Sequence, residues 1–238
     1  MRTDGRMPDE IRPVTIQRGY TCYADGAVLI EAGKTRVICT AMIENKVPRH
    51  CIPDNRGWIT AEYCMLPSAN AQRRSLQGLP TGRVQEIQRL VGRSLRAAVD
   101  LYQMPGRTIW IDCDVIQADG GTRTISITGG FVALVDALTK LKNAGKIENL
   151  PLLRSVAAVS VGVVDGQPML DLCANEDRAA AVDMNIVMTH DGTFIEVQGT
   201  AEKAPFSRDE HDCMMELAQG GIDVIKKTQV RALADDLA

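Results

Sequence analysis

The stretch Ile109-Trp-Ile-Asp-Cys-Asp-Val-Ile-Gln-Ala-Asp-Gly-Gly-Thr-Arg-Thr-Ile-Ser126 changes its period halfway along. Over residues 109–117, Ile109, Ile111, Cys113 and Val115 alternate with Trp110, Asp112, Asp114 and Ile116, which predicts a half-buried strand. Gly120-Gly121 ends the alternation. From about 127 to 144 the residues read as a helix that stops at Gly145, a C-cap residue. The same strand logic extends outward from this stretch. Residues 27–31 and 36–43 flank a Gly33-Lys34 turn and predict a hairpin, and 57–63 reads as another strand. Residues 156–164 turn at Asp165-Gly166 into 169–173, and 184–189 turn at Asp191-Gly192 into 193–198. Asp-Gly between alternating segments is a hairpin signal, and hairpins are antiparallel. Two more helices are predicted. Residues 84–102 place Val84, Ile87, Val91, Ala98 and Leu101 on one stripe and Arg89, Arg93 and Arg96 on another. The last helix opens on Ser207-Arg-Asp-Glu210, a capping box, and runs through Leu217, Ile222 and Ile225, with Gly220-Gly221 as a weak point. Strands and helices in separate blocks give an α+β fold with helices packed on a mainly antiparallel or mixed sheet. No linker interrupts the chain, so residues 1–238 read as one domain, or two intimately packed halves.

The 238 residues are 45% apolar, enough for a substantial core, which excludes disorder. The apolar runs are read as too short for the roughly 20 residues of a membrane span, and the start, with Arg2, Asp4, Arg6, Asp9 and Glu10, lacks a signal-peptide stretch. The expected location is cytoplasmic, with no membrane association. Seven scattered cysteines without a C-x-x-C pair give neither a disulfide framework nor a zinc site. Cys39, Cys113 and Cys173 read as small buried hydrophobes. His50, His190 and His211 lie too far apart for a metal motif.

The net charge of −3 hides an uneven distribution. Residues 45–107 hold ten basic side chains against four acidic, and nine of the ten are Arg, which grips phosphate oxygens in a bidentate way. Residues 165–238 hold fifteen acidic against six basic. The Arg-rich block is a candidate phosphate or nucleic-acid surface, although solvated helix faces produce the same pattern. Aromatic content of 4% argues against a binding mode built on stacking many bases.

Two motifs carry chemistry. The corner Gly120-Gly-Thr-Arg-Thr124, with Ser126 just beyond, lets backbone N–H groups converge at a helix N-terminus beside hydroxyls and a guanidinium, an anion cradle. It matches neither the P-loop nor the dinucleotide fingerprint. A helix start capped by Thr and Ser reads the same residues differently, but capping needs no guanidinium, and Arg123 favours the cradle. The second motif, Glu176-Asp-Arg-Ala-Ala-Ala-Val-Asp-Met-Asn185, puts Asp177 and Asp183 at the ends of a short Ala-rich connection, where they could hold a divalent cation or supply a general acid. Together these features suggest phosphoryl chemistry on a polyanionic substrate.

Longer motifs, Gly57-Trp-Ile-Thr-Ala-Glu-Tyr63, Gly82-Arg83-x-x-Glu86-Ile-Gln-Arg-Leu90, Asp112-Cys-Asp-Val-x-Gln-Ala-Asp-Gly-Gly-Thr-Arg-Thr124, Asp183-Met-Asn185 and Glu196-Val-Gln-Gly-Thr-Ala-Glu202, closely resemble the bacterial ribonuclease PH family. The resemblance runs from Arg12-Pro-Val14 to the C-terminal helix. It implies a β-α-β-α sandwich and a phosphorolytic 3′-to-5′ exoribonuclease that trims nucleotides beyond the CCA end of transfer RNA precursors. Inorganic phosphate is the co-substrate, nucleoside diphosphates are released, and the reverse reaction extends RNA 3′ ends. The resemblance assigns phosphate binding to Arg83, Gly121, Thr122 and Arg123. It assigns catalysis and a divalent cation, magnesium, to Asp177 and Asp183. RNA contacts are expected from Arg73, Arg74, Arg89 and Arg93, and the expected assembly is a homohexamer, a trimer of dimers. A non-catalytic RNA-binding ring subunit is the alternative. Residues 68–82 are shorter and less basic than the family's Arg-rich loop, and Ser75 stands where the family carries Glu.

Overall fold

A computed structural model describes residues 2–72 and 82–234. Among the described residues nine strands form two sheets. In the first, β1 (Val14–Arg18), β2 (Gly26–Ala32), β3 (Thr35–Glu44), β4 (Trp58–Met65) and β5 (Thr108–Gln117) lie in the order β1-β2-β3-β5-β4. All neighbours are antiparallel except β4 and β5. A parallel pair needs a crossover, and α1 (Gly82–Arg96) supplies it. In the second, β6 (Val156–Val164), β7 (Gln167–Leu170), β8 (Val182–Thr189) and β9 (Phe194–Ala201) form an antiparallel sheet in the order β7-β6-β8-β9. The α+β class and the mixed sheet agree with the sequence reading. The Gly33, Asp165-Gly166 and Asp191-Gly192 turns fall where predicted, and Asp165 and Gly166 both take positive φ.

Helix α2 (Thr122–Asn143) packs on β2, β3 and β5 of one sheet and β6 of the other, and Thr124 to Val135 is buried without interruption. A helix apolar on all sides belongs in a core. By length and composition α2 would also qualify as a membrane span, contrary to the sequence expectation, but 83% of its apolar window is buried inside the protein. Helix α3 (Ala174–Ala179) links β7 to β8, and α4 (Arg208–Ala232) covers β6, β7 and β1. Cys39, Cys113 and Cys173 are buried, as expected.

Four of the departures from the sequence expectation have a clear physical cause. Helix α1 stops at Arg96 rather than at 102, because Ala98 and Asp100 hydrogen-bond instead to the 151–153 backbone and Val99 bridges Leu152. Helix α2 begins at Thr122, five residues earlier than predicted, because Gly121 takes the left-handed conformation at its N-cap. Strand β7 ends at Leu170, since Asp171 has φ +53 and its N–H donates to the Ser160 carbonyl. Helix α4 runs unbroken through Gly220-Gly221, with Gly221 packed against Leu170. Its predicted capping box is present: Ser207 accepts from the Glu210 N–H and Glu210 accepts in return. The sequence reading missed β1 and α3. Arg73 and Arg74, with most of the 68–82 loop, lie outside the described residues.

Candidate active site

The β5–α2 corner, the start of α1 and the α3–β8 segment enclose a cleft of about 340 Å³. The corner depends on its glycines. Gly120 (φ +80) and Gly121 (φ +65) occupy the left-handed region that favours glycine. A Cβ on Gly120 would collide with the Leu172 carbonyl, and one on Gly121 would press on the Arg12 guanidinium at 2.9 Å. Only a chain without side chains here lets the corner lie against the β7–α3 link. The turn leads straight into the 22-residue α2, so Thr122 and Arg123 form its first turn, where free N–H groups and the helix dipole favour an anion.

Each cradle side chain is oriented by a neighbour distant in sequence. The Tyr63 hydroxyl, at the end of β4, donates to Thr122 Oγ1 at 2.9 Å. Burial raises the Tyr63 pKa despite that bond, so the phenol keeps its proton. Arg123 Nη1 donates to Gln198 Oε1 at 2.7 Å and to Glu86 Oε1 at 3.4 Å, and Gln198 Nε2 donates to the same Glu86 oxygen at 3.2 Å. Strand β9 and helix α1 therefore aim the guanidinium. Thr124 and Ser126, both expected in the cradle, are buried instead, and Thr124 Oγ1 donates to the Gly121 carbonyl.

Arg83, the second residue of α1, lines the same cleft, as do Asp177 in α3 and Asp183 near the start of β8. The structure thus gathers Arg83, Gly121, Thr122, Arg123, Asp177 and Asp183. Burial and the charge of Asp177 raise the Asp183 carboxyl from 3.8 to about 6, against the opposing pull of Arg123 and Arg83. Arg89 is exposed on α1 and does not line the cleft. Arg93 is paired with Glu196 of β9 at 2.6 Å. Arg96, third in the predicted basic stripe, lies 4.3 Å over the Trp58 ring and donates to the Ile59 carbonyl.

Sequence reasoning assigned no role to Tyr63, Glu86, Gln198 or Asn185. Asn185 is buried in the cleft wall, and the period of two along β8 places it on the same face as Asp183. That spacing was a usable signal. The partners of Thr122 and Arg123 come from remote segments and left no local one.

The fold and cleft define an α+β protein in which a glycine corner at a helix N-terminus, with Thr122 and Arg123, lines one cleft with Arg83, Asp177 and Asp183. The model of the 3′ exoribonuclease family, domain 1, matches residues 10–140, and that of domain 2 matches residues 155–221. The chain belongs to this family, the ribonuclease PH family. Solved structures similar to it include rice (Oryza sativa) Rrp46, 20% identical over 98% of this chain and 100% of that one, with a TM-score of 0.79. The Archaeoglobus fulgidus exosome with RNA bound to the active site is 22% identical over 97% and 92%, with a TM-score of 0.78. An archaeal exosome core is 20% identical over 96% and 91%, with a TM-score of 0.75. At these identities the likeness is one of fold.

Proposed function

We propose that the chain is a phosphorolytic 3′-to-5′ exoribonuclease. The observation that carries this reading is the meeting, in one cleft, of Arg83, Thr122, Arg123 and the α2 N-terminus with Asp183, a carboxyl raised to about 6. An oxygen of inorganic phosphate, held by the cradle, bonds to the phosphorus of the last phosphodiester. The bond from that phosphorus to the preceding nucleotide's 3′ oxygen breaks. The 3′ oxygen takes a proton, and a nucleoside diphosphate leaves. Phosphoryl transfer of this kind rests on positioning and charge stabilisation, which two guanidiniums and a helix N-terminus supply against the repulsion between phosphate and RNA. The incoming hydrogen phosphate carries the proton that the 3′ oxygen takes, so Asp183 need not be protonated while it holds a cation.

Asp177 and Asp183 would hold a divalent cation, magnesium, whose chemistry when bound is to neutralise phosphoryl oxygens. Among the described residues no group of three or more His, Cys, Asp or Glu forms a metal cage. Two carboxylates suffice for a cation that completes its shell with water and substrate phosphate, and a cation would relieve the repulsion between them. Transfer RNA precursors and other single-stranded 3′ ends are the proposed substrates, and a cytoplasmic homohexamer the proposed form. The similar exosome structures, one of them with RNA bound to its active site, support an RNA partner and an assembly of several subunits.

An RNA with a single-stranded 3′ tail, incubated with magnesium and with or without phosphate, tests the activity. The expected result is shortening that requires phosphate and yields nucleoside diphosphates. Equal shortening without phosphate, yielding monophosphates, overturns the proposal. RNA that is bound but never shortened assigns the chain to the non-catalytic ring subunits. Arg123→Ala is expected to abolish turnover and leave RNA binding largely in place.

A further inference from the structure

Arg12 lies just before β1, 3% exposed, where the two sheets meet. Its donors divide between the two walls of the cleft. Nε and Nη2 grip Asp171 at 2.8 and 2.6 Å, and its backbone N–H donates to the same carboxylate at 2.8 Å. Nη1 donates to the Asp119 carbonyl at 2.6 Å, and both terminal nitrogens reach the Gly120 carbonyl at 3.4 Å. Asp119 and Gly120 belong to the anion cradle's corner, whereas Asp171 opens the segment that becomes α3 and carries Asp177. Thr35 reinforces the corner: its hydroxyl donates to the Gly120 carbonyl at 2.7 Å and accepts from the Asp119 N–H at 3.0 Å.

A second guanidinium braces the α3 side from below. Arg2 binds both oxygens of Glu176 at 2.8 Å and donates to the Leu170 and Asp171 carbonyls at 2.8 Å each. The segment before β1 thereby fixes the backbone on both sides of Asp171, and among its described side chains Arg12 is the one that also bonds to the cradle corner, where the Ala174 N–H adds a longer tie to Asp119 Oδ1 at 3.4 Å. Stability alone does not require such a span, since apolar packing of similar volume commonly serves as well as a buried ion pair. A fork with donors fixed in one plane holds two backbones at a set separation, and a single ammonium does not.

We propose that Arg12 is a positioning residue that sets the distance between the phosphate cradle and the carboxylates of α3 and β8, with Thr35 as its auxiliary. The proposal rests on reading the cleft as a phosphate and RNA site. Misplacing the cradle relative to the scissile phosphorus affects phosphate engagement and turnover, while RNA gripped outside the cleft is little changed.

Arg12→Lys and Thr35→Val test this in the full chain, with inorganic phosphate binding followed by calorimetry and kcat and KM measured separately for phosphate and RNA. The expected result for folded protein is a KM for phosphate raised roughly tenfold or more and a lowered kcat, with the KM for RNA within about twofold of wild type. A merely structural loss lowers the active fraction, and so kcat, but leaves the KM for phosphate unchanged. Folded variants with wild-type phosphate affinity and KM overturn the proposal. If Arg12→Lys does not fold, Thr35→Val, which leaves the Arg12–Asp171 pair in place, decides by the same criterion. Wild-type protein that neither binds phosphate nor turns over removes the underlying reading of the cleft, and the proposal with it; this differs from wild-type protein that binds phosphate beside unaffected variants.

Discussion

Asp183 lines one cleft with Asp177: burial, and after it the charge of Asp177, raises the Asp183 carboxyl from 3.8 to about 6. Because the folded value lies above the unfolded one, folding favours the protonated form. The associated stability is fully present below pH 3.8 and is lost as pH rises through about 6. Asp183→Asn, which stays neutral, should therefore melt higher than wild type at pH 8, with the difference shrinking toward pH 4, while turnover disappears. Thermal melts at the two pH values check this. A difference independent of pH would mean that the Asp183 charge is not strained in the fold.

Asp171 behaves in the opposite sense. Burial works against its charge, but the bonds and field of Arg12 outweigh burial and hold its pKa below 3.8. Its contribution to stability is present above pH 3.8 and is lost as pH falls through the lowered folded value. Asp171→Asn leaves Arg12 buried without its counter-charge, a change expected to cost about 3–5 kcal/mol at pH 7. The gap from wild type should close in strong acid. Urea denaturation at pH 7 and pH 3 measures it, and an equal gap at both values would contradict the charge argument.

What could be read from the sequence is what short stretches of chain decide. The Asp165-Gly166 turn and the Ser207-to-Glu210 capping box each form within a few residues. Gly120-Gly-Thr-Arg123 displays both its backbone freedom and its chemistry in four. The end of α1 is not legible in its own residues, because residues 151–153, remote in sequence, pair with the Ala98 carbonyl and the Asp100 N–H. The roles of Glu86, Gln198 and Arg12 were hidden for the same reason. Gln198 meets Arg123 across 75 positions and Arg12 meets Asp171 across 159, so only the packing of one sheet on the other brings them together.

The contact between Gln198 and Arg123 gives a third prediction. Gln198 accepts the shorter of the two hydrogen bonds that orient the guanidinium, and it also donates to Glu86. Gln198→Ala frees Arg123 to swing toward Glu86, whose charge then competes directly with the incoming phosphate. Phosphate affinity should weaken roughly tenfold, about 1.4 kcal/mol, with little change in melting temperature. Gln198→Glu should be worse, since it adds a second negative charge beside the cradle. Calorimetric titration with phosphate ranks the three proteins, and a Gln198→Glu variant that binds phosphate as wild type does would show that Gln198 does not shape the cradle.

Arg89 and Arg93 lie four residues apart on α1 but differ in circumstance. Arg93 is engaged by Glu196 at 2.6 and 3.2 Å, whereas Arg89 is exposed beside the solvent. A cation already compensated by a carboxylate displaces few counterions when RNA binds, and an uncompensated one displaces close to a full share. For single-stranded RNA, each phosphate contact contributes about 0.7 to the slope of log affinity against log salt. Arg89→Ala should thus flatten that slope by about 0.7, and Arg93→Ala should leave it almost unchanged. Affinities measured by fluorescence anisotropy across a salt series separate the two variants. Slopes flattened equally in both would show that the Glu196 pair opens when RNA arrives, and slopes equal to wild type in both would show that neither side chain contacts RNA.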